Sequence, residues 1–431
     1  MFRRFVSFVS FVFFVSFVPF VSVMSAQTVT QRGFVEGSTW LFPQQAPNDP
    51  TRAVGDLRAR EDVFFKPAPW MRLAGGLDLR ANSHDQVEDR WRLDLDDRGV
   101  RRPRASLRRL TATVTHGPFT IDAGKQFIRW GKADIINPTD RFAPRDFINV
   151  IDTEFLAVTG VRAVAQHGAE TFEAVWVPRF TPSRVPLLAE RWTALSGVAA
   201  AVPLVDARSV LPDGSQTGLR WGHLGSGFEY SLSFFNGFNH LPNIDTTLTA
   251  EPAETAEKIC SACSASSAVI SLRRTYPAIR TYGADAAVPT PWFTIKGEAA
   301  YFTSSTPLTD EYVLYVLQVE RQAGEWVIVA GYAGEAITAR RSALSFAPDR
   351  GMTRSIVARA SYTIDPVRSL AFETAVRQNG AGVYGKVEYS QASGQHWRAT
   401  VTAVGIGGHS DDFLGQYHRN SHVAVALRSS F

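Results

Sequence analysis

The 431-residue sequence has little sulfur: four methionines and two cysteines, Cys260 and Cys263, both in "KICSACSAS". A single Cys-x-x-Cys with no second pair and no neighbouring histidine is a poor zinc site, so no metal is expected. P-loop, dinucleotide-binding and zinc-helix signatures are missing too, which leaves no cofactor to expect. After residue 26 no apolar run reaches the length of a membrane helix. Helix-period stripes are scarce. An excess of one charge is also missing: 45 Lys and Arg face 41 Asp and Glu. Without a clustered basic face, nucleic acid is not an expected partner.

What is present begins at the N-terminus. Met1-Phe2-Arg3-Arg4 precedes the uncharged, apolar "FVSFVSFVFFVSFVPFVSVMSA". That is the form of a secretory signal peptide over residues 1–26, with the small Ser25 and Ala26 near the cut. Its removal takes Arg3 and Arg4, so 45 basic residues become 43 against 41 acidic ones and the exported chain is nearly neutral. In an exported protein an even cysteine count at close spacing favours a loop disulfide between Cys260 and Cys263.

The mature chain has period two. In "PWFTIKGEAAYFT" Phe293, Ile295, Ala299 and Tyr301 share one face, and Thr294, Lys296 and Glu298 the other. "GEWVIVAGYAG", "AGVYGKVEYS" and "GQHWRATVTAVG" alternate in the same way. Aromatics such as Trp70, Trp130, Trp176, Trp292, Phe302, Trp326 and Trp397 cluster near segment ends and read as interfacial girdles. Segments of about ten residues with this pattern suit tilted strands crossing an outer membrane. A soluble sandwich would need no apolar outer band.

Tight links at 116–118, 166–170, 224–227, 288–291, 322–324, 364–366 and 392–394 alternate with longer polar connections, the connectivity of bacterial outer-membrane barrels. The expected fold is all-β: a transmembrane antiparallel up-and-down β-barrel over 70–431 with about sixteen strands. Fourteen and eighteen also fit, because 268–288 contains "RRTYP" and 34–42 can join the wall. Residues 27–69, rich in proline, read as an N-terminal periplasmic or luminal extension. That stretch is far shorter than the plug domain of an energised receptor.

The final "HVAVALRSSF" sets Val423, Val425, Leu427 and Phe431 on one face. It resembles the last strand of Gram-negative outer-membrane proteins, which implies recognition of Phe431 by the barrel assembly machinery. "GKQFIRWGKADIINPTD" resembles a segment of poorly characterised proteobacterial outer-membrane porin-like barrel families. The residues that carry it are Gly124, Lys125, Gln126, Trp130, Gly131, Asn137 and Pro138. The resemblance implies a porin-like barrel for hydrophobic or polysaccharide cargo.

The connection 130–155, the second extracellular one counted from Trp70, is therefore expected to fold inward as a constriction. Lys132, Arg141 and Arg145 would face Asp134, Asp140, Asp146 and Asp152 across it, and charge of both signs there selects by size and polarity. A packing role for the same loop, with Asn137 and Asp140 capping turns, stands beside that reading. Alternation nominates Lys296, Glu298, Arg359, Glu373, Arg377, Lys386, Glu388, Arg398 and Arg428 as pore-lining, since a charge facing lipid at the midplane costs ~2–4 kcal/mol. Cross-strand pairing that stiffens the wall is their alternative role. The function expected is a passive outer-membrane channel for small solutes, bathed by outer-membrane lipid. A closed barrel for adhesion or binding, or an outer-membrane lipid hydrolase, is the competing reading. Solute identity is not legible, and a homo-oligomer is compatible with the sequence.

Overall fold

The computed structural model describes residues 28–194, 204–207, 209–250, 268–341 and 346–431. The signal peptide and the Cys260–Cys263 pair lie outside the described residues. Eighteen antiparallel strands make the wall: β1 (Thr28–Leu41), β2 (Ala53–Ala68), β3 (Met71–Asn82), β4 (Ala105–His116), β5 (Phe119–Gln126), β6 (Val158–His167), β7 (Glu170–Val177), β8 (Gln216–Leu224), β9 (Glu229–Phe238), β10 (Ala278–Pro289), β11 (Thr294–Ser304), β12 (Glu311–Ala323), β13 (Trp326–Ala339), β14 (Ser355–Asp365), β15 (Arg368–Arg377), β16 (Gly382–Ser393), β17 (Trp397–Gly408) and β18 (His422–Ser430). Each pairs with the next, and β1 closes on β18 from Phe34↔Ser430 to Leu41↔Val423. Gly33 and Phe431 exchange backbone hydrogen bonds of 2.9 and 3.0 Å at the seam. Closure satisfies the backbone polar groups that lipid cannot.

From Trp70 onward the sixteen expected strands are present. The count of about sixteen is corrected to eighteen by β1 and β2, which occupy the segment read as an extension and join β3 through a turn at Ala68–Met71. The loop after β5 is therefore the third extracellular connection. The two strands are hard to see because Asp56, Arg58, Arg60, Glu61 and Asp62 crowd together in β2. Chain 268–288 does break at Tyr276-Pro277. Its first part, Ala268–Thr275, leaves the wall and pairs with Asn243–Ala250 and Leu204–Asp206 in a small three-stranded sheet. Leu93–Asp94 adds a two-residue parallel pairing to β4.

Alternation sorts the faces. Leu219, Leu232, Leu317, Val319, Val401, Val425 and Leu427 point outward and are exposed, forming the apolar band. Trp70, Phe119, Trp292, Trp326 and Trp397 ring the short-turn end, while Trp176, Tyr282 and Tyr315 stand toward the other. Trp130 and Phe302 are corrections to that girdle: both are buried inside the barrel. The apolar core also lies inside. Ile128, Trp130 and Phe142 pack there against Val158, Val175, Val177, Phe235, Phe302 and Leu314. A second apolar cluster, Val150, Trp192, Ala375, Tyr384, Val404, Ile406, Leu414 and Tyr417, packs toward the outer ends of β15 to β17.

Leu317, 60 % exposed in the middle of β12, tests the lipid-facing band. Leu317→Arg is expected to destabilise the folded barrel by ~2–4 kcal/mol, whereas Leu317→Ile should change little. Urea unfolding of both variants in phospholipid vesicles reads the difference.

Candidate functional site

The connection 127–157 folds into the lumen, and two anchors hold it there. The first is apolar. Phe142 meets Trp130 and Phe235 edge-on, at ring-centroid distances of 5.1 and 5.0 Å. Wall residue Gly218 leaves the room they need, since a Cβ there would sit 2.6 Å from both Phe142 and Trp130. The Trp130 indole N–H donates to Glu173 Oε1 at 2.6 Å, and Arg162 holds that same carboxylate with bonds of 2.8 and 2.9 Å.

The second anchor is Glu298 on β11. Its Oε2 accepts from the backbone N–H of Lys132 and Ala133 at 3.0 and 3.1 Å. Its Oε1 accepts from the Thr139 N–H and hydroxyl, both at 2.8 Å. A carboxylate cradled by several N–H groups makes charge-assisted bonds, stronger than neutral ones. Gly131 makes the wrap possible: its φ is +90° and a Cβ would lie 2.6 Å from the Glu298 oxygens. The Trp-Gly…Asn-Pro segment is thus the part of the loop that encloses one wall carboxylate.

Six of the loop residues expected at the constriction lie inside the barrel, each with its own partners, and Lys132 reaches down to Glu229 beside a short turn. Asp134 accepts from Lys296 Nζ at 2.9 Å and Gln318 Nε2 at 2.6 Å. Asp140 accepts from the Trp130 N–H at 3.2 Å and Arg129 Nε at 3.3 Å. Burial nevertheless pushes its carboxyl up to about 6. Arg141 lies over the Phe302 ring and donates to the Asn137 carbonyl at 3.3 Å, while Arg145 covers Phe155. Asp146 takes a two-pronged bond from Arg102 (2.9 and 3.0 Å) and another from Arg184 (3.3 Å). Burial works to raise its pKa, but these guanidiniums hold it at about 2.

The open space lies elsewhere. A cavity of about 470 Å3 runs between residues 149–154 of the loop and the wall made by β1, β2 and β15 to β18. Asn149, Ile151, Asp152 and Glu154 form its loop side. Of the nominated wall residues, Lys386, Glu388, Arg398 and Arg428 line it. Arg428 bonds Glu36 at 2.6 Å and Lys386 pairs with Glu388 at 3.2 Å. Lys296 and Glu298 serve the loop instead. Arg377 reaches the outer rim, bonding Asp412 at 2.9 Å and the Gly351 carbonyl at 2.7 Å. Arg359 and Glu373 face each other in the β14–β15 register.

Sequence reasoning missed Glu36, Asp56, Arg58, Arg80 and Arg102, which line the same cavity. A signal existed: Asp56, Arg58, Arg60 and Asp62 alternate, as inward-facing residues of a strand do. Glu154 ties them to the loop through Arg58 and Arg80, and Arg58 also bonds Asp78 at 3.1 Å. Burial opposes the ionised form of Glu154, yet Arg80 and Arg58 keep its carboxyl well below the usual range.

Two measurements test the anchors. Glu298→Ala leaves three buried N–H groups and a hydroxyl without their acceptor, at ~1–3 kcal/mol each. The loop should detach and become sensitive to limited proteolysis at 132–146, with Glu298→Gln intermediate. For Asp140 the folded-state pKa lies above the ordinary 3.8, so the native state is favoured by a proton taken up there. Stability should fall as pH rises from about 4 to about 6, by ~3 kcal/mol for some two units. Asp140→Asn should flatten that part of the pH–stability curve.

No protein-family model and no curated protein matches the chain. Solved structures do. OccAB4 of Acinetobacter baumannii is 10 % identical with a TM-score of 0.53, covering 94 % of this chain and 98 % of that one. A BenF-like porin from Pseudomonas fluorescens Pf-5 is 9 % identical with a TM-score of 0.52, covering 95 % and 99 %. OpdQ of Pseudomonas aeruginosa is 8 % identical with a TM-score of 0.50, again covering 95 % and 99 %. At such identities the likeness is one of fold. With its closed eighteen-stranded wall and outward apolar band, the chain has the β-barrel fold of these outer-membrane porins.

Proposed function

We propose that the protein is a passive channel for small polar solutes, and not an enzyme, with the 127–157 loop as its constriction. The observation that carries this reading is the cavity beside the loop. It is bounded by Arg58, Arg80, Arg102, Lys386, Arg398 and Arg428 and by Glu36, Asp56, Asp152, Glu154 and Glu388. Six cations and five carboxylates in one lining give a wet path with no strong preference for either ion sign. The loop sets the width, because its anchored half fills one side of the lumen and leaves its 149–154 half as the inner bank. Transport is then diffusion down a gradient, with size as the first filter and side-chain hydrogen bonding as the second. A polar solute fits this lining better than hydrophobic cargo does.

Planar-bilayer recording of the refolded protein tests the reading. Openings are expected, with cation and anion permeabilities within about a factor of a few, since charges of both signs line the path. Lys386→Glu combined with Arg398→Glu should move the reversal potential toward cation selectivity. Glu298→Ala should enlarge the conductance step. A protein silent at every voltage, in the presence of correctly folded barrel, would remove the channel reading.

A further inference from the structure

The passage does not run straight to the outside. Trp40, Asn149, Ile151, Asp152 and His422 line its outer end and also line a second cavity beyond it. That second cavity measures only about 20 Å3, room for roughly one water. Phe42 and His84 stand at its sides, and Arg191 and Trp192 close it. Both closing residues are 3 % exposed.

The closing segment, 187–193, belongs to the long connection between β7 and β8 and pairs with no wall strand. Its contacts reach three other outer connections. Asn48 Nδ2 donates to the carbonyls of Leu188 and Glu190 at 2.8 and 2.7 Å. Arg191 N–H donates to Asp49 Oδ2 at 3.1 Å, and its guanidinium donates to the Thr51 carbonyl at 2.6 Å while lying 3.6 Å over the Phe42 ring. Asn420 Nδ2 donates to the Arg191 carbonyl at 2.9 Å. Trp192 rests on Tyr417 at 5.6 Å between ring centroids.

These partners differ from those of the constriction loop. That loop is gripped by one buried carboxylate and a broad apolar cluster. The 187–193 segment is held by the outer connections instead: by amides and carbonyls, by the Asp49 carboxylate 3.8 Å from the Arg191 guanidinium, by Gln86 donating to Glu190 at 2.7 Å, and by the apolar cluster around Trp192. None of these bonds belongs to the strand ladder. The segment can lift while the barrel stays closed.

We propose that residues 187–193 are an extracellular gate, shut in this structure, with Arg191 and Trp192 sealing the outer end of the ion-lined passage. The proposal rests on the channel reading. A solute enters only when Arg191 leaves Phe42 and Trp192 leaves Tyr417. The closed state keeps the passage from conducting freely, and the frequency of lifting sets the throughput.

The test places a thiol in the passage, Thr402→Cys, in the Cys260→Ser, Cys263→Ser chain. A membrane-impermeant thiol reagent is then added outside intact cells, and openings of the purified protein are recorded in parallel. Trp192→Ala and Arg191→Ala should each raise the labelling rate about tenfold and lengthen the openings, as expected for the loss of an interaction worth one decade of an equilibrium. Asn48→Ala, outside the passage, should act in the same direction and less. Heat-modifiable electrophoretic mobility identifies the folded barrels, and Asn48→Ala carries the test if either larger change prevents folding. Unchanged labelling and openings in folded variants of a protein that conducts would overturn the gate and leave the channel. A folded protein that never conducts and is never labelled, in any variant, would remove the channel itself.

Discussion

The interior of this barrel depends on the Glu298 carboxylate. An eighteen-stranded wall encloses more space than its own side chains fill, so a connecting loop has to occupy part of it. Glu298 decides where. Three N–H groups and one hydroxyl of residues 132–139 converge on it, drawing the loop against β8 to β13. Along β1, β2 and β15 to β18 the ion-lined cavity stays open beneath a second apolar cluster. A bare carboxylate on a wall strand would ordinarily be solvated; here it replaces water with fixed dipoles and gains a rigid loop.

Two chains of alternating charges tie the loop to the wall and to neighbouring connections. Lys125 and Arg184 share Asp97, Arg184 and Arg102 share Asp146, and Glu154 links Arg80 to Arg58, which reaches Asp78. Most members are buried. Buried ion pairs are weak evidence for net stability, because desolvation offsets their attraction. Their clear consequence is geometric: wall, the inward-folded 127–157 loop and two further long connections are tied to one another. The 187–193 segment meets these connections through Asp49, 3.8 Å from the Arg191 guanidinium, and through Gln86, which bonds both Glu190 and Arg102.

Much of the fold was legible. Strand alternation is a local property, readable wherever lumen and lipid impose opposite demands on neighbouring residues, and β10 to β13 and β16 to β18 obey it cleanly. It fails in β1 and β2, where Arg58, Arg60 and Asp62 look like a charged linker until Glu154 and Asp78 are seen opposite them. Of the site, the loop's inward course was readable from its polar, proline-stiffened composition. Its charges were not assignable. Asp140 and Asp146 resemble passage residues in sequence, but both are buried among their own partners, while Asn149 and Ile151, with no charge to draw attention, line the open space.

The sequence by itself determined the barrel: period-two strands, and tight turns alternating with long connections. Those features follow from the bilayer, which demands an apolar outer face and a satisfied backbone from each strand separately. Only the tertiary structure decided how the lumen is divided, which charges line the cavity, and which connections pack over it. Those outcomes rest on contacts between residues such as Thr139 and Glu298, or Asn48 and Glu190, that lie more than a hundred positions apart. No local pattern encodes which of many polar side chains will meet.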